Sequence, residues 1–346
     1  MLHCVQEQPV AERFEPMRVV LIAFAAATTA CSSPEAVSVV GVQTGQSSVM
    51  GPPGGSREPL PVATMAGIAY ADQSASQRMN LYLPQGEGPF PLVIMIHGGA
   101  FMFGDHNDAG PGFKTDVDAL NADGMAVASI GYRLSGEATF PAAVQDVKTA
   151  IRHLRTNAVA YRIDPARFAL WGKSAGGNLA LLGGLARGVA LFENPQLDDS
   201  SVDDSVKAIV AFYPPVNFLL LDTHAQARGC QQGSGPIGGP HDSADSPESR
   251  YLGGKLQQRV TEAALANPIT YLGPDSPPIY LAAGSADCTV APDQSILFFD
   301  AMRTESRAAA STSELHVIDG ATHADPVFDQ GENLRRVRAF LNRHLQ

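Results

Sequence analysis

The chain has 346 residues, of which 45% are hydrophobic, and this is enough for one large domain or two small ones with a sizeable core. The formal net charge of −11 argues against nucleic acid as a partner, because a phosphate backbone is bound by basic surfaces. No apolar run in the body of the chain reaches the length of a membrane-spanning helix, and no solenoid-type repeat is found.

Residues 1–31 carry the pattern of an export signal. An apolar run at 19–27 follows Met17, a second candidate start site, and it suits the central region of a secretory signal peptide. Small residues then precede Cys31, which resembles the lipidation site of bacterial lipoproteins, although Thr28 stands where that pattern usually has Leu. We therefore expect an exported protein, anchored by a lipid on Cys31 to the periplasmic face of a bacterial membrane. Ordinary signal cleavage and secretion is the alternative.

A folded domain is expected at 62–346, after a linker at 32–61 that is poor in large apolar residues. In the domain, short apolar runs such as 91–96 alternate with segments of helical pattern, which predicts an α/β fold with a mostly parallel sheet and helices on both faces. The alternation fails at 216–268, where a polar, Gly- and Pro-rich stretch is predicted to run over the active-site edge. A disordered surface loop is the alternative for this insertion.

The segment 168–182 has the pattern of a catalytic nucleophile. A short apolar run ends at Gly172, and Ser174 lies in a G-x-S-x-G sequence. A strand that turns sharply into a helix needs small residues beside the turn, and it leaves the serine hydroxyl exposed at the edge of the sheet. The overlapping Gly-Lys-Ser does not indicate a nucleotide-binding P-loop, because Arg167 stands where that motif requires glycine.

A nucleophilic serine needs a base and an acid. His323 and Asp287 each follow a short β-type run, and the carboxyl ends of parallel strands form the active-site edge of such a sheet. We therefore expect Ser174, Asp287 and His323 to act as nucleophile, acid and base. Residues 97–100 follow another apolar run, and their backbone N–H groups, with that of Ala175, are predicted to bind the negative oxygen that forms during attack.

From about residue 69 onwards, the chain resembles bacterial carboxylesterases of the α/β-hydrolase superfamily, close to the hormone-sensitive-lipase type. The resemblance is carried by HGGA, YRLSGEATFPAAVQDVKTAIRHLR, G-x-SAGGNLA, D-x-x-V and a late G-x-x-H. It implies an α/β-hydrolase fold and hydrolysis of small-molecule esters through an acyl-serine, with no metal or cofactor. The residues that it assigns are the triad Ser174, Asp287 and His323 and the oxyanion hole Gly99, Ala100 and Ala175.

Several features leave alternatives open. An amidase, lactonase or peptidase uses the same triad, and a non-catalytic binding protein can share the fold. Phe101 and Phe103 are expected to bind substrate in an acyl pocket, with simple core packing as the alternative. Lys173 occupies a position where Asp, Glu or a small residue is commoner in the family that the chain resembles. The sequence does not indicate an oligomeric state.

Cys230 and Cys288 are the cysteines that follow the signal region. In an exported protein such a pair tends to oxidise, so we expect a disulfide between the insertion and the loop that carries Asp287. The alternative is that Cys288 is a small, buried apolar residue.

Overall fold

The computed structural model describes residues 59–194, 196, 201–231 and 239–346. The predictions for Cys31, for residues 1–31 and for most of the linker therefore lie outside the described residues. In the described part of the chain, no helix is long and apolar enough to cross a membrane.

Eight strands within the described residues form one sheet. They are β1 (Met65–Ala69), β2 (Arg78–Tyr82), β3 (Phe90–Ile96), β4 (Ala126–Ile130), β5 (Ile163–Lys173), β6 (Ala208–Phe212), β7 (Ile279–Gly284) and β8 (Glu314–Ile318). The strand order is β1-β2-β4-β3-β5-β6-β7-β8, with β2 antiparallel to both its neighbours and parallel pairing from β4 to β8. The mostly parallel α/β architecture predicted from the sequence is confirmed.

Four of the inner strands are buried along their whole length, as expected for parallel strands that are covered on both faces. Every residue of β3, β4, β6 and β7 is buried, whereas β8 at the edge of the sheet is partly exposed. Side chains alternate between the two faces. In β3, Leu92 and Ile94 join one core cluster, while Val93 and Met95 join the other.

Helices cover both faces. The helices of the described residues are α1 (Phe113–Ala122), α2 (Ala142–Thr156), α3 (Ala175–Leu185), α4 (Leu221–Ala227), α5 (Pro247–Tyr251), α6 (Val260–Leu265), α7 (Asp293–Glu305), α8 (Arg307–Ala310) and α9 (Gly331–Leu345). Residues of α2, α3 and α7 contribute to one core cluster, and residues of α1 and α9 contribute to the other. Because all residues of α3 are buried, this helix is the centre of its layer.

The order in which successive strands are added to the sheet reverses at β3. The chain passes from β3 to β4 on one side and later returns to β5 on the other side of β3. A ligand site is expected at the carboxyl ends of the strands where such a sheet reverses its strand order. The loop after β3 and the turn after β5 therefore lie side by side at the expected place.

The insertion at 216–268 is structured where the structure describes it. It contains the short helices α4, α5 and α6, and it contributes buried side chains to the core beside α3. Tyr251 and Leu256 are each only 1% exposed. Packing of this kind distinguishes the described part of the insertion from a disordered surface loop.

The burial of Tyr251 leads to a test of this packing. We expect Tyr251→Ala to lower the free energy of unfolding by about 3–5 kcal/mol, because it removes a large buried ring. Val260 is in the same insertion but is 52% exposed, so Val260→Ala should change stability by no more than about 0.5 kcal/mol. Urea denaturation of both variants measures this, and similar small losses for both would show that the insertion is not part of the core.

Candidate active site

The turn after β5 places Ser174 at the carboxyl edge of the sheet. Ser174 has φ 55° and ψ −124°, a backbone conformation that is rare for a residue with a side chain. Its N–H donates to the carbonyl oxygen of Phe212 at 2.9 Å, which fixes the turn to the end of β6. The chain then enters α3 directly at Ala175.

The glycines of the G-x-S-x-G motif are required by close backbone contacts. A Cβ atom on Gly172 would lie 1.9 Å from the carbonyl oxygen of Gly176. A Cβ atom on Gly176 would lie 2.2 Å from the carbonyl oxygen of Ile96 at the end of β3. Any larger residue at either position would therefore push the turn out of this geometry.

Ser174, His323 and Asp287 form a continuous hydrogen-bonded chain. His323 Nε2 lies 3.0 Å from Ser174 Oγ, and His323 Nδ1 lies 2.7 Å from Asp287 Oδ2. Because a carboxylate oxygen can only accept, Nδ1 carries the proton and Nε2 is left to accept from the serine hydroxyl. The His323 side chain is 20% exposed and the Asp287 side chain is fully buried, so solvent and substrate reach the base but not the acid.

Backbone and covalent contacts hold the acid. Asp287 Oδ1 accepts hydrogen bonds from the N–H groups of Thr289 at 2.8 Å and Val290 at 2.9 Å. The adjacent Cys288 forms a disulfide with Cys230, close to the end of α4, with a Cα–Cα distance of 5.6 Å. The loop that presents the acid is thus fixed to the insertion.

A buried His–Glu pair supports the same loop from the insertion. His241 Nε2 lies 2.9 Å from the carbonyl oxygen of Thr289, and Nδ1 lies 2.9 Å from Glu248 Oε1. Burial by itself would lower the pKa of His241, but the hydrogen bond and charge of Glu248 outweigh it and raise the pKa. The sequence gives no signal for this pair, since its two residues and Thr289 meet only in the folded chain.

The loop after β3 borders the nucleophile. A Cβ atom on Gly98 would lie 3.3 Å from Ser174 Cβ, so this backbone packs directly against the serine. Gly99, Ala100 and Phe101 follow with positive φ values of 97°, 56° and 59°. On the other side, Ala175 is the first residue of α3, where N–H groups have no partner inside the helix. The three expected oxyanion-hole residues thus lie in the two segments next to Ser174.

His97 supports this loop. Its Nδ1 donates to the carbonyl oxygen of Gly98 at 2.8 Å, and its ring stacks on Tyr132 with the ring centres 4.2 Å apart. Burial lowers the pKa of His97 to about 4, so the ring is neutral near pH 7. His97 is therefore part of the loop scaffold.

The two phenylalanines of the same loop lie in different environments. Phe101 is only 2% exposed, and its ring stacks on Tyr251 with the ring centres 4.0 Å apart. The expected substrate contact of Phe101 is corrected to core packing, because the insertion supplies an aromatic ring that covers it. Phe103 is 45% exposed and remains available to a substrate.

Tyr213 is a residue of the site that the sequence analysis missed. It is buried, has a positive φ of 38°, and its ring meets the His323 imidazole edge-on with the centres 4.6 Å apart. It follows β6 directly, so the rule that selected Asp287 and His323 after their strands would also have selected this position.

The described residues contain no group of three or more His, Cys, Asp or Glu side chains that could hold a metal ion. The groups that are brought together are a serine hydroxyl, an imidazole, a carboxylate and backbone N–H donors, which suit acyl transfer. Fold and site together define an α/β-hydrolase with a Ser-His-Asp triad. A sequence model of the BD-FAE family matches residues 79–302, and the chain belongs to this family.

Curated relatives of the chain include esterases. Esterase LipC of Mycobacterium tuberculosis is 29% identical over 73% of this chain and 58% of its own length. An isoprenylcysteine alpha-carbonyl methylesterase of Arabidopsis thaliana is 28% identical over 75% of this chain and 56% of its own length. The chain thus spans less than two thirds of the length of these relatives.

Solved structures of similar fold include a bifunctional GH43-CE protein of Bacteroides eggerthii. It is 30% identical, with a TM-score of 0.69 over 81% of this chain and 38% of its own. A truncated carbohydrate esterase from gut microbiota is 26% identical, with a TM-score of 0.67 over 82% of this chain and 96% of its own.

The lowered pKa of His97 leads to a test of its burial. The unfolded chain takes up a proton at this residue below about pH 6.5, whereas the folded protein does so only near pH 4. The unfolded state therefore binds more protons in this window, and stability must fall as the pH is lowered through it. We expect His97→Phe to lose less stability than the wild type between pH 7 and pH 4.5.

Urea denaturation of both proteins at the two pH values measures the difference. Both proteins keep all the other histidines, so the difference between their losses of stability reports on residue 97. An identical loss of stability in the two proteins would contradict the neutral, buried state of this ring.

Proposed function

We propose that the protein is a serine hydrolase that cleaves carboxylic esters of small molecules through an acyl-Ser174 intermediate. The observation that carries this proposal is the hydrogen-bonded chain Ser174–His323–Asp287 at the carboxyl edge of the sheet. Relatives named as an esterase, a methylesterase and a carbohydrate esterase support the ester as the substrate.

The first half of the reaction acylates the serine. Ser174 Oγ attacks the ester carbonyl while His323 Nε2 accepts its proton, and Asp287 stabilises the imidazolium that results. Negative charge develops on the carbonyl oxygen, and the proposed donors to it are the N–H groups of Gly99, Ala100 and Ala175. Collapse of the tetrahedral intermediate expels the alcohol, which leaves with the proton from His323.

The second half releases the acid. Water attacks the acyl-serine while His323 again accepts a proton, and the carboxylic acid leaves as Ser174 recovers its hydrogen. The steps need no metal or cofactor, because the side chains supply both the nucleophile and the proton transfers. Phe103, exposed in the loop that follows β3, is the proposed contact for the substrate.

The reaction predicts a specific loss of activity. Ser174→Ala should lower kcat on p-nitrophenyl esters by at least roughly a thousandfold, because removal of a triad nucleophile leaves only binding and oxyanion stabilisation. Ser311→Ala, at an exposed position after α8, is the matched control and should keep wild-type activity. Retention of activity by Ser174→Ala would contradict the mechanism.

A panel of esters with increasing acyl length, each paired with the corresponding amide, defines the preferred substrate. We expect faster turnover of the ester in every pair. Faster turnover of the amide would favour the amidase or peptidase alternative.

We further propose that the enzyme is exported and held at a bacterial membrane by a lipid on Cys31. The apolar run at 19–27 and the small residues before Cys31 support export. The disulfide between Cys230 and Cys288 also supports it, because disulfides persist in oxidising compartments.

The mature N-terminus tests this location. After expression of the full chain in a bacterium, mass spectrometry should find an N-terminal peptide that begins at Cys31 and carries acyl groups. Cys31→Ala should release the protein from the membrane fraction. An unmodified N-terminal peptide would contradict the lipid anchor.

A further inference from the structure

A buried cationic side chain lies immediately before the nucleophile. Lys173 is the last residue of β5, and its side chain is only 5% exposed. Its Nζ donates to the carbonyl oxygen of Pro111 at 2.6 Å, to Asp116 Oδ2 at 2.7 Å and to Asp329 Oδ1 at 2.6 Å. All three donor positions of the ammonium group are therefore used inside the protein.

Burial and neighbouring charges act together on the pKa values of Asp116 and Lys173. Burial raises the pKa of Asp116 well above its usual value, and this outweighs the charge of Lys173, which lowers it; the neighbouring charge of Asp329 raises it further. Burial alone would lower the pKa of Lys173, but the charges of Asp116 and Asp329 outweigh it, so the ammonium persists. The ammonium of Lys173 thus lies between two carboxyl groups, so its buried charge is compensated inside the protein.

The cluster connects the two loops that carry the nucleophile and the base. Asp329 ends the short turn Pro326–Asp329, which belongs to the segment that follows His323. In this turn, Phe328 packs on Tyr213 with ring centres 4.7 Å apart, and Tyr213 packs on the His323 imidazole. The bond from Lys173 to Asp329 thus joins the residue before Ser174 to the segment behind His323.

The turn has little room to move. A Cβ atom on Gly112 would lie 2.2 Å from Asp329 Cβ, so the backbone before α1 packs directly against this side chain. Asp116 lies in the first turn of α1, which carries no residue of the triad. The two carboxyl groups therefore connect Lys173 to different parts of the protein. Asp329 belongs to the segment that follows His323, whereas Asp116 belongs to a helix outside the active site.

We propose that Lys173 is a positioning residue, which holds Ser174 Oγ and His323 Nε2 in register by fixing the nucleophile turn to the histidine segment through Asp329. The proposal rests on the serine esterase function proposed above. A buried ion pair is a poor source of net stability compared with apolar packing. It does, however, fix the direction and distance between the two segments that carry its partners. Misplacement of a reacting group by about 1 Å can cost on the order of a hundredfold in rate.

Two alanine variants separate positioning from stability. Asp329→Ala and Asp116→Ala each remove one carboxyl group and leave Lys173 with one carboxylate, so both should lower the melting temperature. We expect Asp329→Ala to lower kcat by roughly tenfold or more with KM little changed, because the geometry of proton transfer is lost while binding is kept. Asp116→Ala should keep kcat near the wild-type value. Lys173→Met should behave like Asp329→Ala.

Asparagine variants at positions 329 and 116 give a second comparison, which can be made even if the alanine variants fold poorly. In Asp329→Asn an amide oxygen still accepts from Lys173, so most of the kcat lost in Asp329→Ala should return. Measurements are made well below the melting temperature of the least stable variant.

Equal kcat values for Asp329→Ala and Asp116→Ala, or a loss confined to KM, would overturn the positioning role. The proposed function is checked separately by labelling wild-type Ser174 with a fluorophosphonate. A wild-type enzyme that is labelled and active alongside two equal variants would leave the esterase intact and reject Lys173 as a positioning residue. An unlabelled, inactive wild type would reject the esterase function instead.

Discussion

The hydrogen bond between Ser174 Oγ and His323 Nε2, at 3.0 Å, requires a strained backbone conformation at Ser174. The rest of the domain must stabilise this conformation. The serine has a positive φ, and a turn of this kind costs on the order of 1–3 kcal/mol. Parallel strands on both sides hold it, through the hydrogen bond to Phe212 and the close contact of Gly176 with the end of β3. The fully buried helix α3 then prevents the turn from relaxing outwards.

The acid side of the triad is held by a different kind of contact. Asp287 lies in a loop, and loops alone position groups less accurately than strands or helices. Here the insertion adds a covalent bond at Cys288 and a hydrogen bond from His241 to Thr289. The insertion also covers Phe101 with Tyr251, so one segment supports both the acid loop and the loop that carries the proposed oxyanion donors Gly99 and Ala100. Its role in the structure is therefore support of the catalytic loops from outside the sheet.

Much of the site could be predicted from the sequence because parallel strands end at one edge. Ser174, Asp287 and His323 each follow a short apolar run, and the rule that active groups lie after such runs places all three at that edge. The inner strands were also visible, since complete burial produces continuous apolar runs. β1 was missed because it is partly exposed and its apolar residues do not alternate.

What could not be predicted depends on contacts between distant segments. The sequence does not show that Tyr251 covers Phe101. It therefore could not decide whether the Phe101 side chain points into a substrate pocket or into the core. Lys173 was visible as an unusual residue, but its partners Asp116 and Asp329 lie far away along the chain and carry no pattern of their own. The short helices of the insertion have little intrinsic stability, because helices of this length depend on tertiary packing.

The central claim is that Ser174 forms a covalent acyl intermediate with His323 as its base. Acid quenching of the enzyme during steady turnover of a slowly deacylated ester, followed by peptide mass spectrometry, measures this directly. The account predicts the mass of the acyl group on Ser174 in the wild type, and none in His323→Ala at the same reaction time. Turnover with no acylated peptide, or with the acyl group on another residue, would contradict it.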